Sequence, residues 1–150
     1  MEFELPQDFK ELFELLNANN VRYLMLGGYA VGAYGYPRAT NDLDIFVSDD
    51  EANIENLIRC LAQFGFGERI SNSVLSKPRS IIEMGVEPIK IQLMNFADGI
   101  DFEVAFARRN ILEIEGIKVS VVSKEDLIRN KKAVGRYKDL ADVERLEKLN

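Results

Sequence analysis

Histidine is absent from this 150-residue chain. Its absence removes any His-based catalytic triad and most zinc chemistry, because imidazole is the base or the ligand on which those sites depend. A single cysteine, Cys60, rules out an internal disulfide framework. No apolar run approaches the ~18–20 residues needed to span a bilayer. The acidic start Met1-Glu2-Phe3-Glu4-Leu5 lacks a signal-peptide core. A broadly basic surface is missing too: the formal charge of −6 argues against non-specific nucleic-acid binding, while leaving room for a small basic site. Repeats, low-complexity tracts and linkers are likewise missing. These absences lead us to expect a soluble, cytoplasmic protein with no membrane partner. What is present is 47% hydrophobic residues, enough for one well-filled core in a chain too short for two comfortable domains.

The apolar pattern predicts the elements. Pro6 followed by Phe9, Leu12, Phe13, Leu15 and Leu16 predicts an amphipathic helix over 6–19, ended by Asn19-Asn20. Val21 to Leu26 reads as a short buried strand and Gly28 to Tyr34 as a small apolar helix stopped by Gly35 and Pro37. Leu43 to Val47 is a second strand, and a helix from about 50 to 63 buries Ile54, Leu57, Ile58 and Leu61. Gly65-Phe66-Gly67 breaks the pattern, Ser71 to Ser80 reads as a polar loop, and Ile81 to Met84 as a strand. Ile89 to Met94 alternates, with Ile89, Ile91 and Leu93 on one face, and Asp98-Gly99 is a turn signal. Phe102 to Arg109 stays open between a helix and an irregular crossover. Ile111 to Ile114 and Ile117 to Val122 form a hairpin around Glu115-Gly116. Ser123 with Asp126 resembles a capping box, which starts a helix, and Lys138 to Leu149 is the last one.

Two short features carry chemistry. Gly27-Gly28 follows an apolar strand and opens a small-residue helix, so backbone approaches a ligand there without Cβ obstruction and presents N–H groups suited to anions. Asp42 and Asp44 sit one apart on the next strand. They share a face about 6.6 Å apart along it. Two carboxylates held side by side repel unless a cation or protons lie between them. Alone, a glycine pair marks a tight turn and an Asp-x-Asp an ordinary exposed strand face. Together, with Arg38 between them, they supply phosphate donors, a positive charge and metal ligands in sequence.

These residues carry a family resemblance. Leu26-Gly27-Gly28 with Ala30, then Arg38-x-Thr40-x-Asp42-x-Asp44, resembles the signature of the nucleotidyltransferase (polymerase-beta-like) superfamily. The nearest branch holds minimal nucleotidyltransferases and toxins of abortive-infection toxin–antitoxin systems. Lys131-Lys132-Ala133-Val134-Gly135-Arg136-Tyr137-Lys138-Asp139-Leu140-Ala141-Asp142 is similar to a second segment of that branch, so the resemblance spans nearly the whole chain. It implies an α/β (α+β) nucleotidyltransferase fold, a mixed sheet flanked by helices in one compact domain, with a nucleoside triphosphate over the glycine turn.

The resemblance also implies roles. Asp42 and Asp44 are the catalytic pair and the first two ligands of Mg²⁺ or Mn²⁺; such enzymes hold two ions about 3.5–4 Å apart. Gly27 and Gly28 hold the triphosphate through the backbone. Arg38 either offsets phosphate charge or pairs with a carboxylate, and Thr40, in the same nucleotide-binding set, braces the strand. Lys131, Lys132 and Arg136 neutralise phosphate charge or form a solvated basic helix end beside Asp139 and Asp142. The family's third metal-binding carboxylate falls on Gln92, which lends a neutral carbonyl oxygen and no charge. Gross attraction for one unit-charge pair ~4 Å apart is about 4 kcal/mol at an effective dielectric near 20, so its loss weakens metal binding. Asp98, Asp101 and Glu103 lie nearby in sequence, but strand geometry does not bring them to the site. Three readings follow: transfer of a nucleoside monophosphate to a hydroxyl of a protein, RNA or small molecule; a nucleotide-binding module that has lost turnover; and a toxin-like or regulatory protein. An acceptor-binding domain is expected to come from elsewhere, through an antitoxin-like partner or a homo-oligomer.

Overall fold

A computed structural model describes residues 3–40, 42–66 and 72–148. Expectations that touch Met1, Glu2, Asn41, Gly67, Ser71 and Leu149 lie outside the described residues.

The chain begins with helix α1 (Gln7–Ala18), entered through Pro6, which turns Phe9, Leu12, Phe13 and Leu16 into the core. Strand β1 (Tyr23–Leu26) is buried along its whole length and runs directly into helix α2 (Gly27–Ala33). Strand β2 (Asp42–Val47) and helix α3 (Glu51–Phe64) follow, with Gly65 ending α3 in a left-handed conformation at φ 103°. The remaining order is α4 (Asn72–Ser76), β3 (Ile81–Met84), β4 (Lys90–Met94), α5 (Phe102–Ala107), β5 (Asn110–Ile114), β6 (Ile117–Val121), α6 (Lys124–Val134) and α7 (Tyr137–Lys148).

The six strands form one mixed sheet in the order β3-β4-β2-β1-β6-β5. β1 runs antiparallel to β2 and parallel to β6, β2 runs parallel to β4, and the β3–β4 and β5–β6 pairs are antiparallel. Alternation sorts the faces of the central strands. Leu43, Ile45, Ile91 and Leu93 are buried in the core, while Asp42, Asp44, Lys90 and Gln92 take the other face and are only partly buried. The β5–β6 turn is Glu115-Gly116, both at positive φ (51° and 85°), the geometry favoured in two-residue hairpins. Among the described residues no helix is long and apolar enough to cross a membrane.

Two expectations change. The polar stretch Ser71 to Ser80 is not all loop: residues 72–76 form α4. Leu75 is buried there, and Asn95 donates from β4's end to the carbonyls of Leu75 (3.0 Å) and Lys77 (2.6 Å). That support comes from twenty residues away and leaves no local pattern. The open choice at Phe102 to Arg109 resolves to a helix, because Asp101 caps it by accepting from Val104 N–H.

Candidate functional site

A cleft of about 570 Å³ opens over the polar face of β2 and β4, within the range of small-ligand sites. Gly27, Gly28, Arg38, Thr40, Asp42, Asp44, Gln92, Lys131 and Arg136 all line it. Chain order explains its floor. β1 and β2 are paired so that Leu26 lies beside Asp44, which brings the glycine corner onto the aspartate face.

The glycines are sterically required. Gly27 sits at φ 68°, and a Cβ there would run into the Asp44 carboxylate, 3.2 Å from its Cγ. A Cβ on Gly28 would come within 2.8 Å of Thr40 Oγ1 and 3.3 Å of an Arg38 guanidinium nitrogen. Thr40 therefore packs against the corner, as a brace does.

The floor is electrostatically unusual. Oδ1 of Asp42 and Oδ1 of Asp44 are buried with no hydrogen-bond partner, two of three such side-chain atoms among the described residues. A dry, unpaired carboxylate oxygen is costly, and two on alternate residues of one strand are more so. Burial, reinforced by the Asp42 charge, pushes the Asp44 carboxyl up to about 6, against the opposing pull of Lys131, Arg136 and Lys138. Hard oxygen donors with unused lone pairs fit a divalent cation that keeps waters and takes phosphate oxygens. Among the described residues, no group of three or more acidic, histidine or cysteine side chains assembles around them. Gln92 occupies the neighbouring place, in register with Asp44.

The basic wall comes from α6 and α7. Lys131 is almost fully buried and bonds to Asp142 (3.0 Å) and Asp139 (3.3 Å). Arg38 makes a two-point contact with the same Asp142, Nε to Oδ1 at 3.1 Å and Nη2 to Oδ2 at 2.8 Å. Arg136 donates from Nε to Asp139 at 2.7 Å. Burial alone would raise Asp139, but Arg136 and Lys131 outweigh it and hold the carboxyl below its ordinary range. Arg38 thus both lines the cleft and pairs with a carboxylate 104 residues away. Lys132 is not brought in: it is 59% exposed and faces Glu147 at 3.8 Å outside the cleft. Its neighbour in sequence points inward because successive helix residues differ by about 100°.

The residues beyond the resemblance fall into place here. Asp98 lines the cleft, contrary to expectation, and pairs with Arg79 at 3.1 Å. Asp101 caps α5, and Glu103 is bonded to Arg22, so neither reaches the site. No tyrosine is among the described lining residues. Tyr29 borders a smaller cavity that shares Gly28, Arg38 and Thr40 with the cleft.

Residues 6–150 match a family described as nucleotidyl transferase of unknown function (DUF2204). The chain belongs to that family. Comparison with solved structures agrees at the level of the fold. The nucleotidyl transferase chain is similar to the lincosamide antibiotic adenylyltransferase LnuA in its lincomycin-bound crystal structure, at 15% identity and a TM-score of 0.66, covering 99% of this chain and 100% of that one. It is also similar to a Thermotoga maritima protein described as a candidate nucleotidyltransferase (20% identity, TM-score 0.55, 94% and 87% of the two chains). A third neighbour is an antigenic nucleotidyltransferase-like protein from Paracoccidioides brasiliensis (22% identity, TM-score 0.55, 95% and 77%). No curated protein matches the sequence.

Sequence reasoning overlooked three residues of the cleft and the wall behind it. Lys138 lines it and acts on Asp44. Asp139 and Asp142, read as neighbours of a basic helix end, are instead the buried anchors of Lys131, Arg136 and Arg38. Their i, i+3 spacing on α7 was the available signal: it puts both carboxyls on one helix face, opposite Lys131.

Proposed function

We propose that this chain is a metal-dependent nucleotidyltransferase that moves a nucleoside monophosphate from a nucleoside triphosphate onto a hydroxyl of a small molecule. The acceptor oxygen forms a bond to the α-phosphorus, the bond from that phosphorus to the bridging oxygen breaks, and pyrophosphate leaves. Asp42, Asp44 and the Gln92 carbonyl would hold Mg²⁺ or Mn²⁺, which would neutralise charge on the triphosphate when bound. Gly27 and Gly28 bring backbone within reach of the phosphates. Arg136 and Lys138 offset charge gathering on the leaving group, with Lys131 behind them. With no histidine in the chain, the proton of the attacking hydroxyl passes to a carboxylate on the cleft floor.

The observation that carries this reading is the pair of buried, partnerless oxygens of Asp42 and Asp44 beside the Gly27 corner. A small-molecule acceptor is favoured over a macromolecule by the neighbour that matches from end to end, an adenylyltransferase crystallised with lincomycin. Calorimetry with ATP or GTP and either Mg²⁺ or Mn²⁺ tests the first step, and release of pyrophosphate with hydroxyl-bearing small molecules tests the second. Absence of triphosphate binding in both metals overturns the reading.

A second reading has one observation in its favour. Gln92 stands beside Asp44 without a charge, which suits a module that binds nucleotide and turns over poorly. Gln92→Asp separates the two: a variant that gains turnover along with tighter Mn²⁺ binding supports impairment in the native chain.

A further inference from the structure

We propose that Glu83, on edge strand β3, is a positioning residue for the cation site: it orients the Gln92 amide and holds the Lys90 ammonium away from the aspartates. The inference rests on the reading of the cleft given above and adds a residue to it. Its basis is a row of three side chains across three strands. Glu83 is in register with Gln92 on β4, and Gln92 is in register with Asp44 on β2. All three therefore project from the same face of the sheet.

Glu83 Oε1 accepts from Gln92 Nε2 at 3.0 Å. An ionised carboxylate has no proton to donate, so it takes the NH₂ end of a primary amide and never the carbonyl end. The Gln92 carbonyl oxygen is consequently the end of the amide left free of Glu83, on a residue whose other neighbour in register is Asp44. Without that bond the amide is free to flip. The flipped amide presents N–H₂ to a cation, which repels it.

The other oxygen of the same carboxylate has a second task. Glu83 Oε2 lies 3.4 Å from Lys90 Nζ. Lys90 is in register with Asp42, one step along the same face. Released, its ammonium has Asp42 as the adjacent carboxylate and competes there with a metal ion. The negative charge missing at position 92 is thus present one strand further out. It acts through the two residues that flank the aspartates.

Mn²⁺ binding, followed by the loss of the free-ion electron paramagnetic resonance signal, tests this with and without a non-hydrolysable ATP analogue. Glu83→Ala weakens Mn²⁺ binding about tenfold, the scale of groups that orient a ligand from behind. Glu83→Gln does so in the same direction while keeping the side-chain shape on an exposed edge position. In a Gln92→Ala background the cost of Glu83→Ala falls to less than half. Adding Lys90→Met to Glu83→Ala recovers part of the loss. An unchanged affinity in both Glu83 variants overturns the proposal. So does an equal cost with and without Gln92, because a charge acting only at long range is indifferent to the amide. If the unaltered chain binds no Mn²⁺ even with the analogue, the reading of the cleft fails and this inference with it. Binding that is normal and indifferent to Glu83 removes this inference alone.

Discussion

At the scale of single residues, burial and the Asp42 charge act on Asp44 in the same direction and outweigh Lys131, Arg136 and Lys138. Its carboxyl rises from an ordinary value of 3.8 to about 6. In the unfolded chain it ionises near 3.8, so between that pH and 6 the folded state holds the proton more tightly. The stabilising contribution is complete below the lower value and is lost as pH rises through the upper one. Asp44→Asn therefore makes the metal-free protein more stable than the parent above pH 6. The advantage fades as pH approaches 4. Thermal melts in a chelator at pH 4 and pH 7.5 measure this, and equal melting temperatures at 7.5 exclude it. Gly27 gives a companion expectation. Alanine there is strained at φ 68° and meets the Asp44 carboxylate, so Gly27→Ala costs about 1–3 kcal/mol in stability and displaces that carboxylate. Chemical denaturation measures the first effect and Mn²⁺ titration the second. Both residues were legible in the sequence, because a glycine pair and alternate aspartates are local patterns. The raised carboxyl of Asp44 was not, since its chief cause is the depth of the core packed around the strand.

Elements decide what happens to the charges. α6 and α7 pack as a helical hairpin joined at Gly135, which takes φ 73° after Val134. This arrangement sets Lys131 against Asp139 and Asp142, and Asp142 in turn anchors Arg38 beside the glycine corner. The far end of α6 is held as firmly. Asp126 accepts from Arg108 and Arg129 at 2.7 Å each, and these bonds outweigh burial and lower its carboxyl. In the middle, Asn130 donates to the Asp98 carbonyl at 2.9 Å, tying α6 to the turn after β4. Asp142→Asn removes the charge shared by Arg38 and Lys131 while keeping the shape. Breaking a buried pair from one side costs about 3–5 kcal/mol, and the Lys131–Asp139 contact that remains at 3.3 Å puts this loss at the low end. In a chain of this size that lowers the melting temperature by roughly 10 °C. A shift under 2 °C in calorimetry would show that Asp139 alone satisfies Lys131 and that Arg38 finds another partner. The sequence offered the basic and acidic residues of this hairpin but not their pairing. Helical periodicity fixes which residues share a face, and the facing of two helices depends on where the loop at Gly135 sends the second. α4 illustrates the same limit. Its support comes from Asn95, and no local pattern announces a partner in another element.

Over the whole molecule, charge is sorted by position rather than spread evenly. The chain carries −6, and one cleft brings Arg38, Lys131, Arg136 and Lys138 together with Asp42, Asp44, Glu87, Asp98 and Asp139, so a basic wall stands over an acidic floor. The mixed sheet makes that gathering happen. β1 lies at its centre between β2 and β6, so the aspartates enter from one neighbour, while the chain leaving β6 on the other side leads into α6 and its lysine. The strands were readable from alternation, whereas their order depends on long-range pairing that alternation does not encode. A cleft built from both ends of the chain is coupled to global stability, since a ligand bound there holds β1, β2, α6 and α7 together. At a hundredfold excess over its dissociation constant, a ligand that binds only the folded state stabilises it by about 2.7 kcal/mol. For a chain of this size that raises the melting temperature by roughly 5–10 °C. The two aspartates need a cation before a polyphosphate approaches them without repulsion. The shift therefore requires Mn²⁺ and the triphosphate together, and each alone gives little. Differential scanning fluorimetry with Mn²⁺, the triphosphate, both and neither measures it. An equal shift from triphosphate without metal would assign binding to the basic wall alone and leave the aspartates outside the ligand's reach. Loss of the joint shift in Asp42→Ala, with the fold intact, ties the effect to the carboxylate floor.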